Sequence, residues 1–367
     1  MNHSYSTAGC RAFFVLIILC TCLVAGVQAN ETYVFDRTLG IYDPGSGSFG
    51  FGDAQFYLPE GIAVNPVGIV YVMDRGNNRI QKFDTWGMFI SSWGSEGTDP
   101  GQFNSPFGIA IDLAGNVYVA DWGNNRIQRF NKDGYFLHSW DLNEIGNGID
   151  IKPQSIVGIA VDTSQVYVTN VQHHKIHVFD RQSGTYLSSF GSYGNGDGQF
   201  WEPWGIGVDW RNGIVSVVDS RNHRIQQFNR LGTFIRSWGT RGDGDGQFES
   251  PKGIAVDDQG NVYVADAGNY RIQKFDSSGT FITSWGSEGT DPGQFRRLKQ
   301  IAVDRNGYVY ATEGGPPGIS LTRIQVFRSV NQSQGVTPLP TTRAPIAYAP
   351  FGLVIAIFLS IAFRRRA

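Results

Sequence analysis

Carboxylates and guanidinium groups recur five residues apart along this chain of 367 residues. The pairs are Asp74 with Arg79, Asp121 with Arg126, Asp219 with Arg224, and Asp266 with Arg271. A carboxylate and an arginine that meet across a short loop form a strong charge-assisted hydrogen bond. A catalytic dyad needs one copy, so four copies indicate that the pairs stabilise a repeated unit.

Two related positions depart from this pattern. Asn170 and Lys175 stand where another pair is expected. Asn170 carries no charge, and the Lys175 ammonium lacks the bidentate geometry of a guanidinium. Glu313 and Arg323 are separated by an insertion that contains glycine and proline. Their spacing leaves the last pairing open.

Histidines and acidic loops are the candidates for metal binding. His173 and His174 could be zinc ligands, but a catalytic zinc site uses three protein ligands and these two lie in a connecting loop. The segments 195–198 and 243–246 are rich in Asp and Gly, yet they lack the alternating oxygen ligands and the distal glutamate of a calcium loop. We predict no cofactor and no catalytic residue, with zinc and calcium as the alternatives.

The elements that position these residues follow from a regular period. The acid or amide of the pattern falls at Asp74, Asp121, Asn170, Asp219, Asp266 and Glu313, at intervals of 47, 49, 49, 47 and 47 residues. Each unit contains four short runs rich in β-branched and aromatic residues, separated by Gly, Asp and Asn turns. Four antiparallel strands per repeat are typical of a β-propeller blade.

The two ends of the repeat region complement each other. The sixth copy stops after Arg323–Phe327 without an outer strand, and Thr32–Gly40 matches the missing strand in type and spacing. We therefore predict an all-β, six-bladed propeller of four-stranded antiparallel blades over residues 30–328, with the N-terminal strand completing blade six so that no sheet edge stays open.

The flanking segments predict export and anchoring. Residues 1–29 have the basic start, apolar run and small-residue cleavage site of a signal peptide, and they hold all three cysteines. Residues 329–345 form a Ser/Thr/Pro-rich stalk, residues 346–363 a transmembrane or sorting-signal segment, and residues 364–367 a basic cytoplasmic tail. We expect a single-pass cell-surface protein, of prokaryotic type by its sorting-signal features, with its N-terminal domain outside.

The motifs Asp-x-x-Asn-x-Arg-Ile-Gln, Gly-Ile-Ala-Val-Asp and Gly-Asn-Val-Tyr-Val-Ala-Asp resemble the NHL repeat over nearly the whole predicted propeller. The resemblance implies a six-bladed fold and three kinds of activity: extracellular ligand recognition, nucleic-acid binding in ubiquitin ligases, and peptide-amidating lyase chemistry. The lyase uses histidines around the central channel, where this chain has none in its innermost strands. Fold alone does not choose among these activities.

Positions that differ between copies are the candidates for binding. The residue within Pro-x-Gly is Glu60, Phe107, Val157, Trp204, Lys252 and, by alignment, Lys299. The residue after the second-strand acid is Arg75, Trp122, Val171, Ser220, Ala267 and Gly314. Strand alternation places both sets on one face of the propeller. We predict a binding site formed by Phe107, Trp122, Trp201, Trp204, Arg75, Glu60, Lys252 and Lys299, although the aromatic rings could instead merely cap the channel.

The predicted function is a surface-anchored recognition scaffold for an extracellular protein, peptide or glycan, attached to the membrane by its C-terminal segment. A metal-dependent lyase or hydrolase is the alternative. Nucleic-acid binding or a ubiquitin-ligase adaptor role is disfavoured, because the chain has a formal net charge of −2 and nucleic-acid affinity comes largely from neutralising phosphates.

Overall fold

Six four-stranded antiparallel sheets form the protein in the computed structural model, which describes residues 31–40, 50–143, 151, 154–315 and 322–331. The strands are β1 (Glu31–Leu39), β2 (Pro59–Val64), β3 (Val70–Asp74), β4 (Arg79–Phe83), β5 (Phe89–Trp93), β6 (Ile109–Ile111), β7 (Val117–Asp121), β8 (Arg126–Phe130), β9 (Phe136–Asp141), β10 (Ile156–Val161), β11 (Gln165–Asn170) and β12 (Lys175–Asp180). They continue with β13 (Tyr186–Phe190), β14 (Pro203–Asp209), β15 (Ile214–Asp219), β16 (Arg224–Asn229), β17 (Phe234–Trp238), β18 (Ile254–Val256), β19 (Val262–Asp266), β20 (Arg271–Phe275), β21 (Phe281–Trp285), β22 (Leu298–Val303), β23 (Val309–Glu313) and β24 (Arg323–Asn331). The predicted six-bladed, all-β propeller is confirmed.

Each blade runs from its first strand at the channel to its fourth strand at the rim. In blades one to five the four strands are consecutive in sequence and pair as a meander, for example β2-β3-β4-β5. Short 3-10 turns follow the second strand in four blades, at Arg75–Asn77, Trp122–Asn124, Ser220–Asn222 and Ala267–Asn269. These turns and the links between blades lie on one side of the disk, the mouth face. The two other turns of each blade lie on the opposite face.

Blade six contains both ends of the described chain. Its order is β22-β23-β24-β1, and β1 pairs with β24 from Glu31 opposite Asn331 to Leu39 opposite Ile324. The ring is therefore closed by the N-terminal strand. β24 continues to Asn331 and so includes the first three residues of the predicted stalk, because Glu31, Thr32 and Tyr33 supply backbone partners there.

The core lies between neighbouring blades, where the outer aromatic residue of one blade packs on the next. Trp285 of blade five stacks on Tyr33 of β1 with ring centroids 4.1 Å apart, and Trp140 of blade two stacks on Phe179 of blade three at 6.2 Å. Aromatic contacts of this kind add stabilisation beyond the area that they bury.

The first strands stay narrow because the blades converge at the axis. A Cβ on Gly61 would lie 2.5 Å from the carbonyl oxygen of Phe107 in the next blade, so only glycine fits there. One isoleucine from each first strand lines a central cavity of about 50 Å³: Ile62, Ile109, Ile159, Ile206, Ile254 and Ile301.

The predicted signal peptide (1–29), the membrane or sorting segment (346–363), the basic tail (364–367) and all but the first three residues of the predicted stalk lie outside the described residues. Within the described part of the chain, the search for a long apolar helix able to cross a bilayer finds none.

Candidate functional site

A buried carboxylate anchors the mouth-face loops of each regular blade. In blade two, Asp121 accepts hydrogen bonds from the Asn104 backbone N–H at 2.8 Å, from Arg126 Nε at 2.8 Å and from Gln128 Nε2 at 3.1 Å. The other arginine nitrogens donate to backbone carbonyls of the preceding link, including that of Gln102 at 2.8 Å. The carboxylate and the guanidinium together tie the link to the blade.

The same pairing recurs around the ring. The Nε–carboxylate distance is 2.8 Å for Asp74 with Arg79, Asp219 with Arg224 and Asp266 with Arg271. In blade six, Arg323 Nε lies 2.9 Å from Glu313, and both side chains are buried. The pairing that the sequence left open is thus formed despite the insertion.

Blade three replaces this ion pair with a neutral one. Asn170 Oδ1 accepts the His173 backbone N–H at 2.9 Å, which leaves Nδ2 to donate to His177 Nε2 at 3.3 Å. Burial, followed by the nearby Lys175 and His173, lowers the pKa of His177 to about 4. His177 is therefore neutral at physiological pH.

The two candidate zinc ligands lie beside this pair, and one of them has a structural contact. His174 Nδ1 accepts the Glu202 backbone N–H at 3.1 Å, as Asn78 Oδ1 accepts the Ser105 N–H at 2.7 Å in blade one. His174 thus joins blade three to the following link. Across the described ranges, no three His, Cys, Asp or Glu side chains come together in a metal-binding arrangement.

The two acidic loops act as links in the same network. The carbonyl oxygens of Gly196 and Gly244 accept hydrogen bonds from Arg224 and Arg271, respectively, each at 2.7 Å. Asp197 and Asp243 are exposed. One backbone oxygen of each loop thus belongs to the arginine network.

At the channel mouth, the structure brings three of the predicted aromatic residues together. The Phe107 ring lies 5.5 Å from Trp122 and 6.4 Å from Trp204, measured between centroids. The Arg75 guanidinium lies over Phe107 at 4.1 Å and near Trp122 at 5.8 Å. These four side chains form a continuous group from blade one to blade four, which we call the aromatic side of the mouth.

Glu60, Lys252 and Lys299 form the charged side of the mouth. Lys299 Nζ lies 2.8 Å from the Glu60 carboxylate, and Arg75 lies 3.6 Å from the same group. Lys252 Nζ lies 5.3 Å from the centroid of the Trp204 ring, where the two sides meet. Burial, and then the neighbouring Lys299, lower the pKa of Lys252. Contacts among these residues thus extend around most of the channel opening.

Trp201 is placed differently from the other predicted aromatic residues. Its ring contacts Tyr193 at 6.0 Å, and Tyr193 in turn contacts His174 at 5.0 Å. Its backbone N–H donates to Asp219 at 2.7 Å, so the residue belongs to the link on the outer part of the face. Within the described residues, its ring contacts do not reach the mouth group.

Gln300 is a mouth residue that we did not select from the sequence. It stands where five blades have the glycine of Pro-x-Gly, and it lines the central cavity beside Ile301. In the described part of the chain, its side-chain amide makes no hydrogen bond with the protein. The break in the glycine pattern was the signal that marked this position.

Comparisons with known proteins agree with this architecture. The NHL-repeat family model matches residues 56–83, 103–130 and 248–275, and a family described as a 6-bladed beta-propeller matches residues 150–237. A protein of unknown function from Bacteroides thetaiotaomicron superposes with a TM-score of 0.61 at 17% identity, covering 82% of this chain and 76% of its own.

Two enzymes share the same fold. A streptogramin B lyase has a TM-score of 0.53 at 15% identity, with 82% of this chain and 98% of the lyase covered. A gluconolactonase from Xanthomonas campestris has a TM-score of 0.55 at 14% identity, with 83% and 99% covered. At such identities the likeness concerns the fold and not the activity. The chain therefore contains NHL repeats and folds as a six-bladed β-propeller.

Proposed function

We propose that this protein is a recognition module that binds an extracellular partner through the channel mouth. The observation that carries the proposal is the contiguous group formed by Arg75, Phe107, Trp122 and Trp204, with Lys252 at its border. The four members of the group occupy positions that hold other residues in the other blades, and Lys252 is matched only by Lys299, whereas most of the network beneath them is repeated.

The chemistry of the group suits binding. Aromatic residues and arginine are enriched in protein interfaces and among the residues that dominate binding energy. Phe107, Trp122 and Trp204 are each partly exposed, and they lie just before a strand, in a 3-10 turn and at the start of a strand of a rigid ring. Little conformational entropy is then lost when a partner packs against them.

Export and anchoring complete the proposal. They rest on the sequence of residues 1–29 and 346–367, which would hold the propeller outside the cell on a membrane or on a covalent anchor. The membrane is thus a proposed partner of the C-terminal segment, and a protein, peptide or glycan is the proposed partner of the mouth.

A binding screen with the full chain tests the function. Immobilised extracellular proteins, peptides and glycans are probed with wild type, Trp204→Ala and Trp122→Ala, and with Trp86→Ala as the matched control. Trp86 is a tryptophan on the opposite face with 81% of its side chain exposed. We expect the two mouth variants to lose binding that the control keeps. Binding that survives in both mouth variants would place the site elsewhere.

A further inference from the structure

The mouth carries an excess of positive charge within a chain whose net charge is −2. Arg75, Lys252 and Lys299 surround the opening, and Glu60 is the carboxylate that faces them. Exposed Arg297 adds a further cation near Lys252. The local charge therefore favours an anionic ligand, because complementary potentials guide association and exclude wrong partners.

Glu60 acts on Lys252 only at a distance, because its Oε1 contacts Lys299 and Arg75 instead. Its side chain is 7% exposed, and its carboxylate already contacts Lys299 and Arg75. Among the described residues, no carboxylate lies within ion-pair distance of Lys252, whose ammonium instead lies over the Trp204 ring. Partial burial of a cation without a counter-ion is unfavourable, and an arriving anion would offset that cost.

The same region offers a free hydrogen-bonding group. Gln300 lies next to Lys299 in sequence, and its amide lines the cavity just inside the mouth. An anion held by Lys252 and Lys299 could accept a further hydrogen bond from this amide. The charged side therefore contains two cations and one neutral donor for a carboxylate.

The aromatic side indicates what accompanies the anion. In blade three, apolar Val157 occupies the position equivalent to Phe107 and Trp204, and apolar Val171 the position equivalent to Trp122. A sugar would bring hydroxyl groups that need both donors and acceptors, and among the described residues this side provides indole N–H groups without a free carboxylate or side-chain amide acceptor. An apolar side chain, by contrast, packs on these rings without losing hydrogen bonds.

We propose that the mouth binds an acidic segment of a protein partner, with a carboxylate at Lys252 and Lys299 and an adjacent apolar side chain on Phe107 and Trp204. This inference rests on the proposed function and specifies its ligand class.

The test uses the full chain and arrays of short synthetic peptides in matched sets. The first set combines Asp or Glu with a neighbouring Leu, Phe or Trp. The second replaces each acid by its amide, and the third keeps the acids but replaces the apolar residue by Ala. Neutral glycans and polyuronates form two further arms, which distinguish a carbohydrate source of the carboxylate from a peptide source.

We expect the first set to bind at least about tenfold more tightly than the other two, a difference of about 1.4 kcal/mol. Lys252→Gln should remove the preference for acid over amide, while Lys132→Gln, an exposed lysine on the opposite face, should retain it. Raising NaCl from about 50 to about 300 mM should weaken acidic peptides more than their amides.

Other outcomes would overturn different parts of the proposal. Equal binding of acids and amides that is still lost in Trp204→Ala overturns the acidic class and leaves the proposed function standing. Stronger binding of polyuronates than of any peptide overturns the protein partner. Binding that is insensitive to Lys252→Gln and Trp204→Ala alike, or silence of every arm, overturns the proposed function as well.

Discussion

The carboxylate network and the channel mouth lie in adjacent layers on the same face, yet the network repeats its residue types from blade to blade and the mouth varies them. In the network, Asp121 and its counterparts repeat the same residue types, lie fully buried and accept several hydrogen bonds each. At the mouth, the residue types vary from blade to blade, and Lys252 and Gln300 have unused bonding capacity. The repeated layer fixes the loops, so the layer above can vary without a cost to the fold.

The largest effect should come from removing one network carboxylate. Asp121→Ala leaves Arg126 and the Asn104 N–H without their buried partner, and we expect the free energy of unfolding to fall by about 3–5 kcal/mol. Urea denaturation monitored by tryptophan fluorescence measures it. Asp197→Ala, at an exposed acid of a link, is the control and should change little. Equal losses in both variants would contradict the distinction between network and surface.

The neutral Asn170–His177 pair of blade three should make the stability of the protein depend on pH in the acidic range, with an effect of intermediate size. The pKa of His177 is about 4 in the folded chain and about 6.5 when unfolded, so the unfolded chain binds more protons between these values. Stability should therefore fall as the pH drops from 6.5 towards 4, by up to about 3 kcal/mol from this residue.

His177→Gln introduces the residue found at the equivalent position of the other blades, and it should reduce that pH slope. Denaturation at about pH 7 and about pH 4.5 compares it with His138→Gln, which removes an exposed histidine. An unchanged slope in His177→Gln would show that His177 does not carry the acid sensitivity.

The smallest effect on stability should come from the mouth itself. Lys252→Met removes a partly buried cation that has no ion pair in the described chain, so we expect the free energy of unfolding to stay within about 1 kcal/mol of wild type or to rise. Lys299→Met breaks the contact with Glu60 and should be the more destabilising of the two. The reverse order would mean that Lys252 is part of the scaffold.

Repetition made most of the fold predictable. Six copies of one motif served as an internal alignment, so strand order, the closing strand and the Asp–Arg spacing followed from period and residue type. The pairing of Glu313 with Arg323 did not follow, because an insertion changes sequence separation without changing the register of β23 and β24.

The mouth was predictable only in part. The residue within Pro-x-Gly lies at or just before the start of every first strand, so residues at this position converge on the axis. Trp201 stands three residues earlier, where its ring faces Tyr193 on the outer link, and this direction depends on loop geometry that residue type does not encode. Gln300 differs from glycine by a side chain whose placement depends on the neighbouring blades.

The pairing of β1 with β24 has a mechanical consequence. Both strands are nine residues long, and Glu31 lies opposite Asn331 at the end farthest from the mouth. The outer strands of the other blades have five or six residues, so this ribbon extends about 10 Å further. A force that separates the two ends would unzip β1 from β24 one pair at a time, starting on the face opposite the mouth.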